Sequence, residues 1–586
     1  MVLVSQTQVR EVVENALKRL YLADQQIEFS LIIERPRDEG LGDVAVPCFE
    51  LAKRLRKSPK IIAEQLREEI VSNYSHIEVS AVAGYLNFFW NKEAFIIQNI
   101  PSIDSSYAKN TVLANEKIIV EFSGPNTNKP LHLGHMRNNA LGESLSRILR
   151  VAGADVFKVN IVNDRGVHIC KSMLAYQLFG ENKTPETMNI KSDHFVGDFY
   201  VKYAQWEKEH PEAEEMIQTM LTAWESGDKD TIDLWKLMNH WAVSGIKETY
   251  DRTGISFDKI YYESETYKLG KDIVLRGLEQ SVFFKAEDGS LRLNIEEITP
   301  AETKSEETPT KVFLRADGTS IYITQDLGTA VARHEDFPFH RMIYVVAHEQ
   351  KRHFEILFYA LKQMGYPWAD HLYHLSYGMV NLPDGKMKSR EGTVVDADDL
   401  LDTLTEQAAI AADSAHRKGE SDNTHDVASK VALGALHYFL LQINPVKDMV
   451  FDAKESLSFN GNTGPYLQYT YARIAGMLRK SEASELLRMP ECDLSLLQDP
   501  LEWCLVKILV DFPSYTAKAA MEYSPSIIAG YLYDLAKIFN KFYTDLPILR
   551  EENKSLALAR LTLAKKVMDV LGQGLHLLVI PVVERM

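Results

Sequence analysis

The sequence predicts an α/β protein built on a doubly wound parallel sheet, with a small α+β domain before it and an all-helical region after it. Three observations predict this. Residues 116–162 read strand, loop, helix, strand, the pattern of a βαβ unit. Strand signals return in HRMIYVVAHEQ and HLYHLSYGMVN, and beyond about residue 400 the apolar spacing is helical almost to the end. A chain of 586 residues exceeds a single hydrophobic core, so several domains are expected. Its composition, 45% hydrophobic and 25% charged, is that of an ordinary globular protein.

The first domain is expected over 1–105. Residues 8–22 and 59–72 carry apolar positions at helical spacing, the second opening with Ser58 as N-cap and Pro59 at the first helical position. VSAVAGYLNFFW is strand-like. AKRLRKSPK groups Lys53, Arg54, Arg56, Lys57 and Lys60, which suits either a solvated helix end or an RNA backbone contact. The second domain is expected over 106–400, with an insertion at about 180–310. Here KIIVEFS is a strand, SGPNTNKPLH a loop, LGHMRNNALGESLSRILRVAG a helix with one apolar face, and ADVFKVNIV the next strand. Residues 180–256 read as helical. VFFKAEDGSLRL and KVFLRADGTSIYIT are hairpin-like, each turning at Asp-Gly, with a polar loop between them. Helical segments are expected over 401–458 and 459–586, broken at Pro445, Pro465, Pro525 and Pro547.

The net charge of −17 argues against wholesale coating of nucleic acid but permits a locally basic groove. Cys48, Cys170, Cys492 and Cys504 form no CxxC pair, which excludes a disulfide framework or zinc ribbon. The opening MVLVSQTQVREVVENALKRL lacks a secretory pattern, and the longest apolar runs fall short of the ~20 residues of a membrane span, so a cytoplasmic protein is expected.

The chemistry concentrates in KPLHLGHMRNN. His132 and His135 sit three apart at the mouth of the helix, around Gly134. Zinc would need further ligands, and apart from His168 and Cys170 nothing has usual spacing. A serine or cysteine nucleophile has no elbow sequence to sit in. Two packed structural histidines remain an alternative. A helix N-terminus, however, presents free N–H groups and partial positive charge, which suit phosphate. Gly134 permits close approach, and Lys129 adds a permanent cation upstream. Far along the chain, NLPDGKMKSREGTVV supplies Lys386, Lys388 and Arg390 on a glycine-containing loop.

Together these residues resemble the class I aminoacyl-tRNA synthetases: HLGH matches their HIGH signature, and KMKSR stands where their KMSKS loop belongs. EFSGPNTNKPLHLGHMRN, YITQDLGTA, INPVKDMVFD, GNTGPYLQYTYARI, YDLAKIFNKFY and the terminal ERM are similar to the arginyl-tRNA synthetases in particular, and the resemblance spans the chain. It implies a Rossmann-type catalytic domain, an N-terminal tRNA-contacting domain, a stem-contacting connection and a helical anticodon-binding bundle. It implies ATP with Mg²⁺ as co-substrate, L-arginine and tRNA(Arg) as partners, a monomer, and neither zinc nor another bound cofactor. Lys129, His132, His135, Lys386 and Lys388 would be catalytic, and these with Gly134, Ser389 and Arg390 would hold ATP. Glu121, Ser123, Asn126 and His132 would hold the backbone end of arginine, Tyr322 and Asp326 its guanidinium, and Gln350 would complete the pocket. The fourth signature position carries Ser389 rather than lysine, a departure that Lys129 would offset. Tyr466, Tyr469, Arg473, Arg54 and Arg56 would contact tRNA, although such tyrosines equally suit helix packing. A synthetase for another amino acid would not need Asp326, and a non-catalytic RNA-binding paralogue would not keep the phosphate-handling residues.

Overall fold

The computed structural model describes residues 6–21, 31–34, 36, 39–300, 308–382, 395–414 and 424–586. Its contacts group into two units, one of 108–476, 512–536 and 571–586, the other of 1–107, 477–511 and 537–570, so the C-terminal helices contribute to both.

In the larger unit five parallel strands form one sheet, in the order Leu372–Tyr377, Arg341–Ala347, Lys117–Glu121, Asp155–Val162, Lys259–Tyr262. Strands buried on both faces need continuous apolar runs, and Ile118, Ile119 and Val120 beside Met342, Ile343 and Val345 supply them. Strand order reverses between Lys117–Glu121 and Arg341–Ala347, where Glu121 lies opposite Tyr344. Ligands of such sheets bind beyond the carboxyl ends at that reversal.

The helix Leu133–Val151 crosses over between the first two strands. Sequence periodicity assigned it a single apolar face, but the structure buries nearly all of it, including Arg137, Asn138, Asn139, Glu143, Ser144 and Ser146. The sheet covers one side, and the other packs on later helices, where the Ser144 hydroxyl donates to the carbonyl of Leu577 at 2.7 Å. Its buried polar groups are therefore long-range connectors. Lys158, for example, donates to Glu143 at 2.8 Å.

The expected helical insertion is present as Val167–Phe179, Ser192–Trp206, Ala213–Ser226 and Lys229–Thr253, packed around Met173, Phe195, Tyr203 and Trp241. VFFKAEDGSLRL forms the expected hairpin, with Phe283–Lys285 against Leu291–Asn294 and Gly289 at φ +84° in its turn. The second Asp-Gly differs. Thr310–Leu314 does turn at Asp317-Gly318, but the return arm is only one bridge, Leu314 to Ser320, before the helix Tyr322–Asp336 begins. The helix wins because Thr324 satisfies its first turn, donating its hydroxyl to Phe313 O while accepting from the Ile321 N–H. Residues 301–307, part of the expected polar loop, lie outside the described residues.

In the smaller unit the helices Gln6–Tyr21 and Pro59–Asn73 pack on a three-stranded antiparallel sheet, Val44–Pro47, Tyr85–Phe88 and Val79–Val82. VSAVAGYLNFFW is thus two strands, joined by Ala83 (φ +53°) and Gly84 (φ +90°), the positive-φ pair of a tight hairpin turn. Ser58 does occupy the N-cap position before Pro59, without a side-chain capping bond. Within this unit the Trp503 ring sits 5.4 Å from Phe95, and buried Arg560 donates to Glu502 at 2.7 Å.

The fit of the Tyr322–Asp336 helix rests on Gly270, where a Cβ would lie 1.6 Å from the carbonyl oxygen of Thr324. Gly270→Ala is expected to destabilise the fold by ~1–3 kcal/mol through overpacking. Gly530→Ala, on a helix where a Cβ meets nothing within 4 Å, should be neutral or stabilising. Thermal unfolding of the two variants checks this.

Candidate active site

Beyond the end of the Lys117–Glu121 strand the chain turns sharply. Ser123, with φ +81°, and Gly124, with φ +66°, both adopt left-handed backbone, which is unusual for serine. Long-range bonds hold it there: the Ser123 N–H donates to Asn138 Oδ1 at 2.5 Å, and the Gly124 N–H donates to Asn160 Oδ1 at 3.0 Å. The Ser123 hydroxyl is bonded to the Tyr250 hydroxyl at 2.5 Å, which fixes its direction. From there residues 125–131 run to the helix mouth, with Asn126 bridged to Asn163.

His132 is the N-cap, in extended backbone, and its Nδ1 accepts from the Gly134 N–H at 3.1 Å. The His132 N–H in turn donates to His135 Nδ1 at 3.2 Å, and the two rings lie 3.9 Å apart. Since both Nδ1 atoms accept, the single proton of each neutral ring sits on Nε2. Burial, followed by the Lys129 charge, brings His132 down to about 4, and burial lowers His135 well below the usual imidazole value. Both rings are thus neutral donors near pH 7. Burial also lowers the Lys129 ammonium.

The opposite wall is acidic. Glu121 is paired with Arg333, which lies on the inner face of the Tyr322–Asp336 helix and is buried between Tyr261 and Tyr344. Burial raises the Glu121 carboxyl, Arg333 opposes the rise and Asp326 adds to it. Asp326, one turn from Tyr322 on the same helix, accepts from His353 Nε2 at 2.6 Å. Glu263 is buried close by. Burial brings its carboxyl up to about 7, with Arg165 opposing and Asp164 and Asp326 reinforcing. Asp164 is held by the N–H and hydroxyl of Ser264, at 2.8 and 2.6 Å.

One open cleft of about 1770 Å³ brings these groups together, larger than the ~300–1,000 Å³ of a typical single-ligand pocket. It is lined by Ser123, Asn126, Lys129, His132, Gly134 and His135 around the helix mouth, and also by Glu121, Glu263, Tyr322, Asp326 and Gln350. Tyr322 is 73% exposed, and Gln350 is exposed in the turn His348–Gln350. Lys386, Lys388, Ser389 and Arg390 lie outside the described residues. Among the described residues, Asp193, His194 and Asp398 alone have the spacing of a metal site. The Lys191 ammonium sits among them, 2.9 Å from each carboxylate, so a cation already fills that place.

Away from the cleft, Tyr466, Tyr469 and Arg473 lie on the helix Gly464–Leu478. Tyr466 is 5.9 Å from the Tyr533 ring, and the Arg473 guanidinium is over Tyr469 at 4.7 Å. Arg54 and Arg56 are exposed at the end of the helix Phe49–Leu55.

The chain matches family models along its length: the class I (R) tRNA synthetase catalytic domain over 97–453, the DALR anticodon-binding domain over 467–586, and the arginyl tRNA synthetase N-terminal domain over 7–90. The chain belongs to the arginyl-tRNA synthetase family. It is 52% identical to the arginine–tRNA ligase of Treponema denticola, covering 96% of each chain. It is 44% identical to that of Borrelia hermsii, covering 99% of each. Its fold superposes on the arginyl-tRNA synthetase of Thermus thermophilus with a TM-score of 0.83 and 28% identity, covering 99% of this chain and 100% of that one. No described helix of this synthetase is long and apolar enough to cross a membrane.

Sequence reasoning missed Glu263, Arg333 and Asn138. Glu263 follows a strand, in YYESETY, and buried polar side chains at strand ends were the available signal. Asn138 and Arg333 gave none, because each sits where a helical pattern reads as solvent.

The neutral histidines have a measurable consequence. Their folded values lie below the ~6.5 of an unfolded imidazole, so the unfolded chain takes up protons first as pH falls. The synthetase should hold full stability from this source above pH 6.5 and lose it as pH falls toward 4. Denaturant midpoints at pH 7 and pH 5 should drop further in the parent than in His132→Asn/His135→Asn.

Proposed function

We propose that this cleft joins L-arginine to ATP, giving arginyl-adenylate and pyrophosphate, and then transfers the arginyl group to the 3′ end of tRNA(Arg), as an arginine–tRNA ligase of protein synthesis. The observation that carries the reading is the polarity of the cleft: neutral N–H donors and a lysine at a helix mouth on one side, a cluster of carboxylates on the other. ATP and arginine carry the complementary charges.

In the first step an arginine carboxylate oxygen attacks the α-phosphorus, and the bond to the bridging oxygen of pyrophosphate breaks. No protein nucleophile is needed, so the rate comes from positioning and from stabilising charge on phosphate oxygens. His132 and His135 do this with their Nε2–H groups, Lys129 with its ammonium, and Gly134 leaves room for the nucleotide. Lys386, Lys388, Ser389 and Arg390 complete the phosphate site as the signature resemblance implies. Mg²⁺ enters with ATP and neutralises phosphate charge.

Arginine lies across the end of the sheet, its α-amino group at Asn126 and Ser123 and its guanidinium at Tyr322 and Asp326, with Gln350 closing the pocket. Glu121 was expected at the α-amino end. Its tie to Arg333 and its electrostatic coupling to Asp326 favour the guanidinium end, where Glu263 adds a third carboxyl. A guanidinium buried without such partners would cost several kcal/mol. In the second step the 2′-hydroxyl of the terminal adenosine attacks the arginyl carbonyl carbon and AMP departs. Tyr466, Tyr469, Arg473, Arg54 and Arg56 supply tRNA contacts, and the enzyme works as a cytoplasmic monomer.

Asp326→Asn replaces a charged hydrogen bond to the guanidinium with a neutral one. It should lower kcat/KM for arginine roughly 10²-fold while leaving KM for ATP within about twofold. Unchanged arginine kinetics would remove Asp326 from the pocket.

A further inference from the structure

Arg137 is fully buried, and among the described residues no carboxylate is bonded to it, Asp448 favouring its charge only from a distance. Its Nη1 donates to the carbonyls of Gly378 and Met379 at 2.7 and 3.2 Å, and its Nη2 to those of Pro445 and Lys447 at 3.1 and 2.8 Å. Its Nε has no partner among the described residues. A buried cation whose hydrogen bonds all go to neutral carbonyls is costly to maintain. Removing it would leave the Gly378 and Lys447 carbonyls without the donor they use here, so the guanidinium and the two segments depend on each other. What four carbonyls on two segments provide is a cross-link.

The two segments are themselves zipped together. The Gly378 N–H donates to Pro445 O at 2.9 Å, the Met449 N–H to Met379 O at 2.9 Å, and Val380–Asn381 pairs in parallel with Met449–Val450. Gly378 makes the close approach possible, since a Cβ there would sit 2.4 Å from the Lys447 carbonyl. Asp448 ties the outer side, accepting from the Met379 N–H at 2.7 Å and lying 3.7 Å from the His348 ring, in the same turn as Gln350. Met379, Val380 and Asn381 line the cleft, and Arg137 lies on the helix that His132 caps. One guanidinium therefore sets the position of the 378–381 wall relative to the two histidines.

We propose that Arg137 is a positioning residue for ATP activation: it fixes the 378–381 wall of the cleft against the histidine-bearing helix mouth. It touches no substrate. The proposal rests on the assignment of His132 and His135 to the phosphates of ATP.

The test is arginine-dependent ATP–pyrophosphate exchange by the full chain with tRNA(Arg), using Arg137→Lys, Asp448→Ala and His132→Asn beside the parent. Lysine keeps the charge but cannot reach four carbonyls, so Arg137→Lys should lower kcat/KM for ATP about tenfold, with KM for arginine within about twofold. Asp448 is half exposed, so Asp448→Ala loosens the same wall from outside without opening the core, and a loss of about threefold confined to ATP is expected. If Arg137→Lys does not fold, Asp448→Ala decides alone. Unchanged ATP kinetics in the folded variants, or equal losses for ATP and arginine, would overturn the proposal. Unchanged exchange in His132→Asn would overturn the phosphate assignment, and this proposal with it.

Discussion

The side-chain amide of Asn138 holds the catalytic half of this molecule in register. Its oxygen accepts the Ser123 N–H at 2.5 Å, and its nitrogen donates to Val345 O at 2.8 Å and to the Tyr377 hydroxyl at 3.2 Å. Those three partners lie at or within two residues of the carboxyl ends of three neighbouring strands of the sheet, Lys117–Glu121, Arg341–Ala347 and Leu372–Tyr377. A single residue one turn into the helix thus fixes its mouth over the point where strand order reverses. The strained backbone of Ser123 is retained because this bond and the Tyr250 hydroxyl over-determine it.

From that anchor the cleft divides its electrostatics. On the helix side the donors are dipoles and buried, neutral rings, which can meet phosphate without first shedding a tightly held counter-ion. On the far side Asp326 raises the carboxyl groups of both Glu121 and Glu263, with Arg333 opposing at Glu121, Arg165 at Glu263 and His353 bonded to Asp326. Like charges held together in this way are unfavourable until a cation enters, and a planar guanidinium can satisfy several of them at fixed angles. In the proposed reading, selectivity for arginine comes from relief of that repulsion. A neutral or aliphatic amino acid would bring no charge to offset it.

Much of this was legible in the sequence, for local reasons. The helix mouth announced itself in HLGH, because a cap, a glycine and a following periodic run are neighbours in the chain. Parallel strands were legible in KIIVE and RMIYVVA as apolar runs, and Tyr322 and Asp326 only through the family resemblance. The hairpin reading of KVFLRADGTSIYIT failed because β-branched residues after an Asp-Gly turn suit a strand equally well, and a hydroxyl cap from Thr324 decided for helix. Arg137, Asn138 and Arg333 were not legible at all. Their partners lie tens to hundreds of residues away, and on a helical wheel a polar residue buried against distant carbonyls looks the same as one facing water.

ATP–pyrophosphate exchange across a panel of amino acids, with and without tRNA(Arg), would show whether the carboxyl cluster selects arginine. Exchange is expected with L-arginine and none above background with citrulline, which has arginine's shape without its charge, or with lysine, which lacks the planar fork. Comparable exchange with citrulline would contradict the idea that a crowded set of carboxylates selects the substrate.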